Sequence, residues 1–337
     1  MDYQNQVVGL VDKYADEVTA TARSIWENPE LGLQEFHASK LLAGKLEFAG
    51  FSIEMGIAGM PTAFIAEWGE GKPIIGILGE YDALPGLSQK ILPVKEPIKA
   101  GGPGHGCGHN LLGSAGFGSV LAVKEYMQKH GVKGTLRYYG CPAEETLVGK
   151  VFMAKAGVFD DLDAAVTWHP GPANSVWGVR NGETSFMAMN SFKVQYRGRS
   201  AHAAANPQQG RSALKAIQLL ETGVHYMREH IPPEGRVHSV ITDGGGAPNV
   251  VPAFAEAWYY IRAPKRNTVD QIYAWVQDII KGAALMTQTT YEIDFLTGCH
   301  EMLANYTIGQ NLLENMQKIG GPLFSADDHT LAKEISD

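Results

Sequence analysis

Apolar positions Val8, Val11, Tyr14, Val18, Ala22 and Ile25 fall three or four residues apart, the stripe of an amphipathic helix that stops near "ENPELG". A second helix is predicted from about 34 to 49. "TAFIAEW" and "PIIGILG" are short apolar runs parted by the turn "GEGK" and read as strands; helical "LLGSAGFGSVLAVKEYMQKH" comes after them. "GTLRYYGC", a helical stretch at 147–156 and "DAAVTW" keep strand and helix alternating. That alternation predicts an α/β domain on a mostly parallel sheet covered on both faces.

After Asn181 the rhythm changes. "SFMAMNSFKVQYRG" reads as a strand, "GRSALKAIQLLETGVHYMREH" as a helix, "RVHSVIT" and "FAEAWYYIRA" as strands, "TVDQIYAWVQDIIKGAALM" as a helix and "TYEIDFL" as a strand. This βαββαβ order is the ferredoxin-like unit, complete between about 186 and 297. The expected organisation is therefore an α/β domain from 1–183 and 299–337, interrupted by a second domain at 184–298. The last segment holds one helix at 308–319 and a shorter one near 326–335.

A chain of 337 residues suits one large domain and a smaller one, and 45% hydrophobic against 19% charged residues is enough to pack both cores. The net charge of −8, with no Lys/Arg-rich run, leaves no footprint for a nucleic acid. Charges every few residues at the N-terminus, and no apolar run of membrane-spanning length, set the expectation of a cytoplasmic protein. Cys107, Cys141 and Cys299 are too few for a disulfide framework, which leaves a ligand, a nucleophile or core packing as their uses.

Open α/β sheets bind ligands outside the carboxyl ends of their strands. Glu80 and Asp82 end one strand, Cys107 and His109 occupy a glycine-rich loop entering a helix, Glu144 and Glu145 follow another strand, and His169 a third. Singly, each has an ordinary reading: a core cysteine beside a loop histidine, acids in a first helical turn, an exposed histidine, a turn aspartate. Together at one sheet edge, thiol, imidazole and carboxylate are the ligand set of zinc, with manganese or cobalt as alternatives. In "PAEET" adjacent carboxylates point in different directions, so one can bind metal while the other moves protons. Hydrolysis of an amide fits that arrangement.

The motifs "GEYDALPG", "GHGCGHNLLG", "GCPAEET", "TWHPG", "GRSAHAAANP", "GRSAL" and "PNVVPAFAEAWYYIRA" resemble the M20 metallopeptidase and amidohydrolase family, in its aminobenzoyl-glutamate hydrolase branch, over essentially the whole sequence. The resemblance implies a zinc-peptidase-like α/β catalytic domain with an inserted ferredoxin-like lid that mediates dimerisation. It implies Cys107, His109, Glu145 and His169 as ligands of one or two ions, zinc or manganese, with Glu144 as general acid/base and Asp82 supporting the site from behind the ligands. Glu80 stands where more distant relatives have a metal-binding histidine and is not counted a ligand, nor is His105. In the lid, His202 matches a residue that stabilises the oxyanion across a dimer, and Asn249 and Arg262 match positions that bind the substrate near its carboxylate.

The implied activity is hydrolysis of an N-acyl or N-aroyl amino acid, aminobenzoyl-glutamate-like, or of a small peptide. The implied assembly is a homodimer, or a heteromer with a related A-type subunit. Family members carry a further C-terminal segment with a final metal-binding histidine, whereas this sequence ends at Asp337, so an incomplete metal site and sheet edge are expected. His329 reads as a structural residue at a helix start and His300 as a surface residue, neither as a replacement. Two other readings stay open: a non-catalytic subunit that binds metal or ligand and supports a complete partner, and a cysteine hydrolase using Cys107.

Overall fold

The N-terminal stripe folds as two helices, α1 (Tyr3–Lys13) and α2 (Ala15–Glu27), where the pattern suggested one. The backbone turns at Tyr14, whose hydroxyl donates to Glu125 (2.6 Å). The structure, a computed structural model, describes residues 3–171, 173–176 and 186–336; the expected boundary at 183/184 lies outside the described residues. Chain contacts divide the molecule into Met1–Asn174 with Asn315–Asp337, and Ser175–Glu314.

In the first unit, α3 (Phe36–Phe48), β1 (Ser52–Met55), β2 (Phe64–Glu70), β3 (Ile74–Glu80), α4 (His109–His130), β4 (Gly134–Cys141), α5 (Gly149–Lys155) and β5 (Ala164–Val166) follow α2. The sheet order is β1-β2-β4-β3-β5. The expectation of a mostly parallel sheet needs correction: β3 runs parallel to β4 and β5, but β1–β2 and β2–β4 are antiparallel. β1 escapes sequence reading because it is a short edge strand with little buried side chain.

Both faces of the sheet are covered, and β4 shows how. Its adjacent tyrosines point to opposite faces: Tyr138 packs with Phe64, Phe117, Leu42 and Leu46 beneath the larger helices, and Tyr139 with Met60, Cys141 and Met153 on the other side. Helix α4 lies so close to the end of β3 that a Cβ on Gly113 would meet the Glu80 carbonyl oxygen at 2.5 Å. The glycine therefore sets the distance between the two elements that carry His109 and Glu80.

The second unit runs β6 (Ala188–Arg197), α6 (Ala213–Met227), β7 (Arg236–Asp243), β8 (Phe254–Ala263), α7 (Arg266–Thr287) and β9 (Thr290–Cys299), with sheet order β7-β8-β6-β9 and every ladder antiparallel. This is the ferredoxin-like arrangement expected from the order of elements. β8 alternates buried and part-exposed positions along its length. Its buried face packs with Val194, Ile217, Leu220, Val276 and Ile280, while the other face carries Glu256, Trp258, Tyr260 and Arg262. Helices α8 (Tyr306–Ile319) and α9 (Ala326–Ser336) close the described chain. Ser325 caps α9: its hydroxyl accepts from Asp328 N–H (3.2 Å) while its own N–H donates to the Asp328 carboxylate (2.7 Å).

Replacing Gly113 with alanine is expected to force α4 away from β3, at a cost of about 1–3 kcal/mol for overpacking. A denaturant midpoint unchanged from wild type would show that the contact tolerates a methyl group.

Candidate metal centre

β4, β3 and β5 run in one direction, so their carboxyl ends lie side by side, and the chain places a chemical group just beyond each. Glu80 ends β3 and Asp82 follows it; Glu144 and Glu145 come after β4, and His169 after β5. His109 opens α4, with Cys107 in the loop before it. That loop is bare because it is pressed against its surroundings. A Cβ on Gly104 would sit 1.9 Å from the Leu87 carbonyl oxygen, and one on Gly108, at φ +83°, would sit 2.6 Å from the ring of Pro170, next to His169.

His109 is fully buried. Its Nδ1–H donates to Asp82 Oδ1 (2.9 Å), which fixes the tautomer of the neutral ring and, in that form, turns the Nε2 lone pair toward the acids. Nε2 lies 3.1 Å from Glu80 Oε2 and 3.7 Å from Glu144 Oε2. These approaches lack hydrogen-bond alignment: His109 Nε2, Glu80 Oε2 and Glu145 Oε1 are among the buried polar atoms without a hydrogen-bond partner within the described residues. His169 is arranged likewise, Nδ1–H donating to the Pro170 carbonyl (2.7 Å) and Nε2 facing Cys107 Sγ (3.1 Å). Glu145 is within hydrogen-bonding reach of the same thiol.

The donor atoms of Cys107, His109 and His169 lie within 4.8 Å of one another, as do those of Glu80, His109 and Glu144. Asp82 acts from behind, its second oxygen accepting the Glu145 N–H (3.0 Å). The charge balance is strongly negative, with four carboxylates, Glu80, Asp82, Glu144 and Glu145, gathered around His109. The Lys150 ammonium, 2.6 Å from Glu80 Oε1, offsets one of them.

Burial, and then the charge of Glu145, push the Cys107 thiol up to about 12; burial also raises Glu144 and Glu145. Burial disfavours the charged form of His109, but the hydrogen bond and charge of Asp82, then Glu80 and Glu144, prevail and raise it to about 9. Converging lone pairs, unpartnered buried donors and surplus negative charge, in a set of sulfur, nitrogen and oxygen, fit a divalent cation. His105 is set apart: burial, followed by the His109 charge, pushes it down to about 4, so it stays neutral.

The three other expected residues lie in the second unit. His202 Nδ1 accepts from the N–H groups of Ala204 (3.3 Å) and Ala205 (3.2 Å), so a neutral ring carries its proton on Nε2. Its loop is tied to Asn249 by Ala203 N–H donating to the Asn249 carbonyl (2.9 Å). Arg262 lies over the Tyr260 ring (5.3 Å) and keeps a buried Nε without a partner among the described residues. Directly opposite it on β7 is Arg236.

Sequence reasoning passed over three contributors. Lys150 reads as an ordinary helix lysine and Arg236 as a strand-end charge, and only their neighbours in space show otherwise. Glu35, whose carboxylate accepts from Thr62 Oγ1 (2.8 Å) and Ala143 N–H (2.8 Å), is distant in sequence from both.

Residues 187–286 match the peptidase dimerisation domain. The chain is 45% identical to the B-type subunit of the p-aminobenzoyl-glutamate hydrolase of Escherichia coli, over 94% of its own length and 65% of that protein's. It is 31% identical to the human Xaa-Arg dipeptidase, over 94% of this chain and 72% of that one. Among solved structures it resembles a dinuclear metal-binding peptidase of Bacillus subtilis, with a TM-score of 0.64 at 22% identity over 94% of this chain and 83% of that one. Among the described residues no helix is long and apolar enough to cross a membrane.

Because a cation must displace protons from Cys107 and His109, its affinity is expected to rise with pH, steeply below about 9, where His109 is charged, and less steeply above it, where only the Cys107 proton remains to be displaced. Titration calorimetry with zinc or manganese should show this, with proton release in buffers of different ionisation enthalpy; affinity independent of pH would remove these two residues from the ligand set. Asp82→Asn should weaken binding by about 10–100-fold.

Proposed function

Because this chain belongs to the M20 family of metal-dependent peptidases and amidohydrolases, we propose that it hydrolyses the amide bond of an N-acyl or N-aroyl amino acid of the aminobenzoyl-glutamate kind. The observation that carries this reading is the convergence, at one sheet edge, of Cys107 Sγ and the Nε2 lone pairs of His109 and His169, with the carboxylates of Glu144 and Glu145 beside them. Cys107, His109, Glu145 and His169 would hold one or two ions. The thiol favours zinc; the carboxylates also suit manganese. A cation bound there acidifies water and polarises the scissile carbonyl.

Glu144 has the environment of a proton carrier. Burial raises it above an ordinary carboxylate, while the charge of Lys150 works in the opposite direction. In this reading it takes the proton of the attacking water and delivers it to the departing nitrogen. The second unit serves as lid and dimerisation domain, with two copies of this chain, or this chain and an A-type relative, as the assembly. His202, carrying its proton on Nε2, donates to the developing oxyanion. Arg262 and Asn249 take the substrate carboxylate, and the unpartnered Arg262 Nε and the facing Arg236 support an anion there.

The test is turnover of a panel of aroyl-glutamates, acyl amino acids and Xaa-Arg dipeptides by metal-loaded protein, beside Glu144→Gln. The variant is expected to bind the cation and lose about 100-fold or more in kcat, the range of general acid/base catalysis. Equal turnover would remove Glu144 from the mechanism. Cation binding without hydrolysis of any member of the panel, alone or with an A-type subunit, would favour a supporting subunit. Activity that survives chelation and is lost on thiol alkylation would favour a cysteine hydrolase.

A further inference from the structure

The segment carrying Glu144 and Glu145 is built on backbone that L-residues rarely adopt. Ala143 and Leu147, on either side of the acids, have φ of +52° and +55°. Packing leaves this turn little freedom: a Cβ on Gly32 would lie 3.1 Å from Ala143, and one on Gly149 would lie 1.7 Å from the Pro142 carbonyl oxygen. The Ala143 carbonyl accepts from Val148 N–H (3.2 Å) and Thr146 Oγ1 (3.2 Å), closing the turn on itself. The Ala143 N–H points the other way, into the protein, and donates to Glu35 Oε1 (2.8 Å).

Glu35 is fully buried at the start of α3. Its second oxygen accepts from Thr62 Oγ1 (2.8 Å), and the Thr62 carbonyl accepts from the Tyr81 hydroxyl (2.5 Å), Tyr81 standing between Glu80 and Asp82. One carboxylate thus connects the turn after β4 to the residues that end β3. A buried carboxylate is a costly way to supply two acceptors unless their placement matters.

We propose that Glu35 is a positioning residue: by holding Ala143 N–H and Thr62 at fixed separation, it aims the carboxylates of Glu144 and Glu145 at the edge where His109 presents Nε2. The proposal rests on the reading of Glu144 and Glu145 as proton carrier and ligand, and it assigns Glu35 a geometric role, independent of its charge. Two variants separate the possibilities. Glu35→Gln keeps the length and an acceptor for Ala143 N–H while removing the charge; Glu35→Asp keeps the charge and withdraws both oxygens by one methylene.

The experiment measures hydrogen exchange across 142–149 by mass spectrometry on the full chain, together with zinc and manganese affinity by calorimetry and helix content by circular dichroism. Glu35→Asp is expected to raise exchange in the turn and weaken metal binding by about tenfold or more. Glu35→Gln should leave both close to wild type. The reverse ranking, with Gln impaired and Asp normal, would overturn the proposal in favour of charge. Faster exchange with unchanged metal affinity would overturn it as mere stabilisation of the turn, and unchanged exchange in both variants would overturn it outright. If Glu35→Asp fails to fold, Glu35→Gln decides: near-wild-type values support the geometric role, and impaired ones overturn it. A wild-type chain that takes up no metal would sink the metal-site reading, leaving exchange in the turn to decide the claim for Glu35.

Discussion

The Asp82 carboxylate holds the centre together. It is almost wholly inaccessible to solvent, which by itself favours its neutral form, yet the His109 hydrogen bond and charge prevail and lower it. One oxygen holds the His109 ring; the other holds the backbone of Glu145. A single group thus couples the end of β3, the first residue of α4 and the turn after β4. Without it the ring would be held on that side only by the longer contact of Nδ1 with the Asp82 carbonyl (3.2 Å), and the direction of Nε2 would be less firmly set.

The same edge poses an electrostatic problem that the surrounding chain only partly solves. Burial, and after it the negative groups crowded into the same edge, raise Glu144, Glu145 and Cys107 above their ordinary ranges. Lys150 answers for Glu80, and His109 answers for Asp82. The same two cations also act on Glu144, and His109 on Glu145, so four acids share two positive groups. The second unit shows the opposite sign: burial, and then the charges of Arg262, Arg228 and Arg236, lower His238.

How legible the molecule was in its sequence follows from where each signal resides. β8 could be read almost to the residue because one face is packed and the other is not, so alternation survives. β4 was readable from its place in the alternation of strand and helix, and it is buried on both faces except at Arg137. β1 is too short and too exposed to leave a pattern, and the antiparallel pairing of β2 with β4 depends on which strand inserts between neighbours, which no local pattern encodes. At the site, strand ends and residue types were enough to gather Cys107, His109, Glu144, Glu145 and His169. Lys150, Arg236 and Glu35 were invisible because their significance lies in partners far away along the chain. The tautomers of His109, His169 and His202 are likewise set by hydrogen bonds that only the folded backbone creates.

The glycines of "GHGCGHN" lead to a consequence for any survey of tolerated substitutions. Positions 104, 106 and 108 would place an added carbon within 2.6 Å of Leu87 or Pro170. They are closed to change beside Cys107 and His109, though they carry no side chain and bond only through their backbone, as in the paired hydrogen bonds of Gly104 with Leu84. Intolerance along this stretch would therefore read as one uninterrupted block, chemistry and sterics indistinguishable. A change at Gly104 would become permissible only alongside a compensating shift of the Leu87 backbone, so the two segments are bound to vary together or stay fixed together.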